Sequence, residues 1–300
     1  MQTLTDRHGD AIAASERNVF GERTALFQVS LLVLLIGVIY YKILNGLVAQ
    51  WLQDPNYSHG FFVPFFCGWV LWKSRTRLQA TTAHKNRAGL IIIVLSLGIL
   101  ILGVLGAENF LSRTSLIFLL AGLIIYFRGW QWFRILFFPW VALFLMIPIP
   151  SIIFNQIALP LQFQASALAS NLLGFIGIPV LREGNVIHLP SLTLDVVEAC
   201  SGLRSLVSLI TLAVIYGYLF ESKTLRRALL VVLAVPIAVF ANAFRIMGSG
   251  VLGEYWSPDK AEGFFHLFSG LLIFGVSFSL LLILHATMSR IAPRPTSEPA

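Results

Sequence analysis

The chain has 300 residues, 57% of them hydrophobic and only 12% charged, with a mean hydropathy of +0.82; a soluble domain cannot hide that much apolar surface within its own core. A water-soluble globular protein is excluded, and a polytopic membrane protein is expected. The net charge of +7, from 21 Lys and Arg against 14 Asp and Glu, falls in short clusters between apolar runs and not on a basic domain, so it reads as membrane orientation and not as a nucleic-acid surface.

Residues 1–26 are polar and charged without signal-peptide architecture, so they are predicted to be a cytoplasmic tail, with the first apolar run retained as an anchor. Apolar runs near bilayer length follow at about 27–44, 60–72, 89–106, 110–127, 131–147, 203–220, 226–247 and 264–284. These predict an all-α protein of about eight transmembrane helices. The second run is short and could be tilted, extended by its aromatic flanks or re-entrant. Between the second and third runs, "KSRTRLQATTAHKNR" carries five Lys or Arg, whereas "NGLVAQWLQDPNYSHG" before the second run has none. Positive loops stay cytoplasmic, and Arg128, Arg134, Lys223, Arg226, Arg227, Arg290 and Arg294 then share that side, with both termini inside. One transmembrane domain over 27–285 and a cytoplasmic tail over 286–300 follow.

Residues 148–202 form an outer-face segment. A ninth span at 161–178 would carry the later basic clusters outside, so an interfacial or re-entrant helix is expected there. Gln162, Ser166, Ser170 and Gly174 recur at i, i+4 and line one face of it, either for packing on another helix or as a substrate groove. After it, "LREGNVIHLPSLTLDVVEA" holds β-branched residues around Gly184-Asn185 and Pro190-Ser191 turns, which predicts one or two short extracytoplasmic hairpins.

The β element delivers the chain to "VVEACSGLRSL", and Cys200 is one of only two cysteines. Two cysteines make neither a disulfide framework nor a zinc pattern. Cys200 is expected just before a helix, where free N–H groups and the helix dipole favour a thiolate. Ser201 and Gly202 suit a cap and a close approach, and Arg204 adds positive potential at i+4 from Cys200. A lone cysteine is also an ordinary small buried residue, the reading that suits Cys67. On the same outer side, "FANAFRIMGSG" carries Asn242 and Arg245, and "EGFFHLFSGLL" carries His266. Arg245 could snorkel or pair with Glu254 or Glu262, and His266 could be a satisfied interfacial residue. Their shared level beside a thiol points instead to nucleophile, fixed positive charge and proton carrier, a set sufficient for acyl transfer through a thioester.

"YSHGFFVP", "VVEACSGLRSL", "NAFRI" and "HLFSG" resemble the exosortase/archaeosortase family of membrane-embedded cysteine transpeptidases, over about residues 27–285. The resemblance implies Cys200 as nucleophile, with Arg245 and His266 as the other catalytic groups. In archaeal relatives an arginine can stand in the histidine's place. It also implies exported protein substrates that end in a Pro-Glu-Pro motif, an apolar helix and a basic tail, cleaved at the periplasmic side of a bacterial inner membrane. The thioester would pass to an amine or hydroxyl acceptor or to water; no cofactor or metal is implied. Some members carry an additional C-terminal soluble domain, which is not expected here. Glu198, Asn242 and Arg204 are supporting candidates, each equally suited to a cap or a helix–helix hydrogen bond, and Tyr57, Ser58 and His59 could line the substrate entrance or anchor the interface. Rival readings are a serine intramembrane protease using Ser201 or Ser249, and a transporter or non-catalytic assembly subunit for polysaccharide export. A zinc protease lacks its His-Glu-x-x-His stretch, and Lys42 is the one charge expected near a span interior.

Overall fold

A computed structural model describes residues 2–196, 202–255 and 264–291, with side chains for 27–54, 56–196, 205–255 and 272–290. Ten helices and one small sheet are present among these residues. Helix α1 (Gln2–Gln53) leads through a 3₁₀ segment (Pro55–Phe61) to α2 (Phe62–Lys73) and the short α3 (Arg75–Gln79). Then come α4 (Ala88–Leu105), α5 (Asn109–Arg128), α6 (Trp130–Ala142) and α7 (Ser151–Phe175). Strands β1 (Leu181–Glu183), β2 (Val186–His188) and β3 (Thr193–Asp195) precede α8 (Gly202–Phe220), α9 (Thr224–Tyr255) and α10 (Phe264–Ile291).

The all-α membrane class is as expected, but the count of eight spans is not reproduced. Among the described residues, five helices are long and apolar enough to cross a bilayer: 27–53, α4, α5, α9 and 272–290. A sixth results if α6 with its 3₁₀ extension and α7 are taken as one span bent by 84°. The physical reasons are local. Helix α2 has 12 residues and therefore reaches only about 18 Å, short of the roughly 30 Å hydrocarbon thickness. Helix α8, with 19 residues, reaches about 28 Å, close to the bilayer thickness, and is not among those five. The run at 131–147 is ended by Pro148 and Pro150, which disfavour helix in the residues before them. The chain turns there and restarts at Ser151, ten residues before the helix expected at 161–178.

Backbone groups at that break find distant donors. Trp51 Nε1 donates to Met146 O at 2.9 Å, His59 Nε2 lies 3.2 Å from Leu145 O, and the Tyr57 hydroxyl reaches Ile149 O at 3.5 Å. Gly60 leaves room for the Trp51 indole, which a Cβ would overlap. Irregular backbone in an apolar protein persists only where its polar groups are satisfied in this way. Cys67 belongs to the same core, buried, with Sγ 3.2 Å from Pro139 O. It is the packed residue the sequence suggests.

Helices α4 and α5 approach through small residues: a Cβ on Gly89 would meet the Tyr126 backbone, and one on Gly122 would meet Ile93. Such close backbone approach is how apolar helices associate without a hydrophobic driving force. The Lys42 side chain is exposed on α1, whereas Arg113, one turn into α5, is buried and donates to Gln50 Oε1 at 2.7 Å.

The two predicted hairpins are present as one antiparallel meander, β1-β2-β3, pairing Leu181 with His188 and His188 with Thr193. Gly184 supplies the positive φ (67°) of the first turn, and Leu189 N donates to Leu192 O across the second. Ile187 is fully buried and, with Leu189 and Val196, packs on Ala165, Ala169 and Leu173 of α7 and on Ala243 and Ile246 of α9. Ser166 Oγ donates to Gly184 O at 3.1 Å and ties α7 to the hairpin turn.

Candidate active site

Arg245 lies in α9, and its neighbours Ala243 and Ile246 are locked between the sheet and α7. The arginine itself is only 8% exposed. Two further contacts hold this end of α9 to the sheet. Ser191 Oγ donates to Glu254 Oε2 at 2.5 Å, and Gly253 leaves the space that the Leu192 side chain fills. Glu254, a candidate partner for Arg245 in the sequence, thus serves the second hairpin turn. Helix α9 has 32 residues, about 48 Å, so it continues well past Arg245 and does not end there.

Asn242 sits nearly one turn before Arg245 and is 8% exposed; Gln162 of α7 is 8% exposed as well. Both line a cavity of about 20 Å³ between α7, α8 and α9, floored by Ala158, Ala165 and Ala238. Neither Asn242 Oδ1 nor Gln162 Oε1 has a hydrogen-bond partner among the described residues. A wider apolar crevice of about 270 Å³ shares Leu161 and Val239 with this cavity and opens between Gln164, Pro236 and Phe240. The i, i+4 face on α7 is therefore divided. Ser166 is buried in packing and Ser170 Oγ bonds back to Ser166 O, Gly174 is exposed, and Gln162 lines the small cavity.

Of the other sequence candidates, Glu198, Cys200 and Ser201 lie outside the described residues. Gly202 and Arg204 open α8, and His266 is in the first turn of α10, with the Arg204 and His266 side chains outside the described set. His59 lies in the 3₁₀ segment, half-buried, against Leu145 O. Burial holds its imidazole below the ordinary value of 6.5, and the Leu145 carbonyl only partly offsets that.

A second polar cluster, which the sequence reading missed, sits where α8, α9 and α10 meet at the other end of α9. The Glu221 carboxylate is fully shielded, with Oε2 3.5 Å from both Arg226 Nη1 and His285 Nε2. Its Oε1 accepts from Ser222 N at 2.8 Å and Lys223 N at 3.1 Å, and Arg227 Nε donates to Glu221 O at 2.7 Å. Tyr216 Oη is 2.8 Å from His285 Nδ1. Burial raises the Glu221 pKa, but the two backbone donors and Arg226 outweigh it, leaving the carboxyl below its ordinary 4.5. The available signal was a single acid in "FESKTLRR", a basic cluster otherwise accounted for by orientation alone.

The fold and site define a class: a polytopic helical membrane protein with a buried arginine under a small sheet-covered end of its helix bundle. Residues 51–283 match the family model described as transmembrane exosortase, and the chain belongs to that family. No curated protein and no solved structure matches it.

Proposed function

We propose that the protein is a membrane-embedded cysteine protease or transpeptidase that removes C-terminal sorting signals from exported proteins. The family membership supports the activity class, and one structural observation supports the site. Arg226 and Arg245 on α9 are nineteen residues apart, as are His266 and His285 on α10, a rise of about 28 Å in each helix. Glu221 brings Arg226 and His285 together at one end, and α10 packs alongside α9 through Leu281 against Leu230, Ala234 and Ala238. The equal spacing therefore favours a common level for Arg245 and His266 at the other end, one bilayer thickness away.

In this reading the Cys200 thiolate attacks the scissile carbonyl carbon and forms a C–S bond. Arg245 stabilises the oxyanion, and His266 gives its proton to the departing amine as the C–N bond breaks. An amine, a hydroxyl or water then attacks the thioester and releases Cys200 as thiolate, its own proton passing back to His266. The positive loops support a site on the periplasmic side of a bacterial inner membrane, with both termini in the cytoplasm.

The test is co-expression with an exported reporter that ends in a Pro-Glu-Pro segment, an apolar helix and an arginine-rich tail, following loss of the tail by mass. Processing by the wild type and none by Cys200→Ala is expected. Processing that survives Cys200→Ala removes the cysteine mechanism, and no processing of any such reporter favours the transporter or assembly reading.

A further inference from the structure

We propose that Glu221 is a positioning residue for the reaction: from the far end of the bundle it sets the register of the three helices that carry Cys200, Arg245 and His266. The inference rests on the proposed function and deepens it. Glu221 directly follows α8, and its Oε2 lies 3.5 Å from Arg226 Nη1 on α9 and 3.5 Å from His285 Nε2 on α10. One carboxylate thus joins three helix ends. Tyr216 of α8 adds a second tie to α10, with Oη 2.8 Å from His285 Nδ1. The link from α8 to α9 is closed by Ser222 N and Lys223 N donating to Oε1 and by Arg227 Nε donating to Glu221 O. Helix α8 begins two residues after Cys200 and rises about 28 Å over its 19 residues, the same rise that separates Arg226 from Arg245 and His266 from His285. Three arms of equal length therefore run from this network to the proposed site.

Apolar packing alone fixes their register weakly. Helix α10 meets α9 through Leu281 on Leu230, Ala234 and Ala238, and beside that contact an apolar crevice of about 480 Å³ opens between Pro236, Phe240, Leu280 and Ile283. Such contacts are non-directional. Hydrogen bonds and ion pairs hold at one alignment only, and fixing register is the best-attested use of a buried ionic group. Packed helices transmit that alignment along their length, and a misplacement of about 1 Å at reacting atoms costs on the order of 100-fold in rate. What Glu221 fixes at one end is read as turnover at the other.

The test separates position from stability. Glu221→Leu with Arg226→Met keeps the pair's bulk and removes its directional bonds; Ile125→Ala, buried between α5 and α6, is the control for instability alone. On purified full-length protein in detergent, three things are measured: the melting midpoint, kcat and KM for the Pro-Glu-Pro reporter, and the rate at which iodoacetamide alkylates Cys200 against pH. On the proposed function, the helix N-terminus and the site cations hold the wild-type thiol below its ordinary value of about 8.5. The double variant should melt near the wild type, yet kcat should fall by about 100-fold with KM little changed, and its alkylation midpoint should rise towards about 8.5. Ile125→Ala should melt lower and keep both kcat and the alkylation profile. Wild-type kcat and profile in the double variant, a change in KM alone, or an equal loss in Ile125→Ala overturns the proposal. If the double variant does not fold, Glu221→Gln is judged by the same outcomes. If the wild type does not process the reporter, the function reading fails and the alkylation profile decides: a midpoint raised by the double substitution sustains the register role, and identical profiles overturn it.

Discussion

Helix α9 carries one buried arginine near each end, and the two ends are built on opposite principles. Around Arg226 the charges are paired: Glu221 reaches the arginine, His285 and two backbone N–H groups, and Tyr216 completes the histidine. Around Arg245 the helix wall is apolar and tightly packed, yet two amide oxygens nearby are left without partners among the described residues. A satisfied polar network fixes three helices against one another. Buried acceptors such as the Gln162 and Asn242 oxygens, without partners among the described residues, cost the resting chain free energy instead. On the proposed function, the contrast sets a polar cluster that holds the bundle against one that would serve the reaction.

The sharpest way to break that contrast is Arg245→Ala. If Arg245 serves the reaction, reporter processing should fall by a factor on the order of 100 to 1,000, with the detergent melting midpoint nearly unchanged; a midpoint that falls as far as that of a Glu221 variant would assign both ends to structure. His266→Arg sharpens the reaction side. A guanidinium cannot release its proton near neutral pH, so little product should form even when the reporter still binds, and substantial turnover would make positive charge the requirement. At the opposite end, Glu221→Ala should cost about 3 kcal/mol, because it removes the buried carboxylate that Arg226 and His285 share. Chemical denaturation in mixed micelles measures it, and Glu221→Leu with Arg226→Met should recover most of the loss. The same carboxylate gives a smaller, pH-dependent effect. Its pKa is lowered in the folded state, so its contribution is present above 4.5 and is lost as the pH falls below that value; Glu221→Gln should flatten this part of the profile. His59 gives the smallest effect. Its folded pKa lies below 6.5, so the unfolded chain takes up the proton first and stability declines as the pH drops through 6.5. His59→Gln should remove that slope, and an unchanged slope would assign it to another group.

Much of this architecture could be read from the residues, and the exceptions have physical causes. The apolar runs, the loop charges and the turn residues Gly184, Asn185, Pro190 and Ser191 act locally, so the helices and the meander follow from short stretches of chain. The span count does not. Apolar length alone cannot say that Pro148 and Pro150 stop one helix and that a new one leaves at 84°. Arg245 was found because an arginine in an apolar run is conspicuous, and "NAFRI" adds the family resemblance. Gln162 and Asn242 are 80 residues apart, and their shared cavity exists only once α7 lies against α9. Glu221 and His285 are similarly distant, and each looks like an ordinary residue at the end of a span. For Cys200 the sequence motif remains the ground for its role, since it lies outside the described residues.

The bend between α6 and α7 has a consequence for how the chain enters the membrane. Three of its carbonyls, those of Leu145, Met146 and Ile149, are covered by side chains at positions 59, 51 and 57. These donors are synthesised some ninety residues before the acceptors they cover. The insertion machinery therefore meets the break after its caps are already at the membrane, and the segment need not be released into lipid with bare backbone groups. Order of synthesis supplies what the bent segment lacks on its own. Moving residues 51–59 behind the bend by circular permutation, with every contact of the finished fold preserved, should leave a protein that inserts poorly.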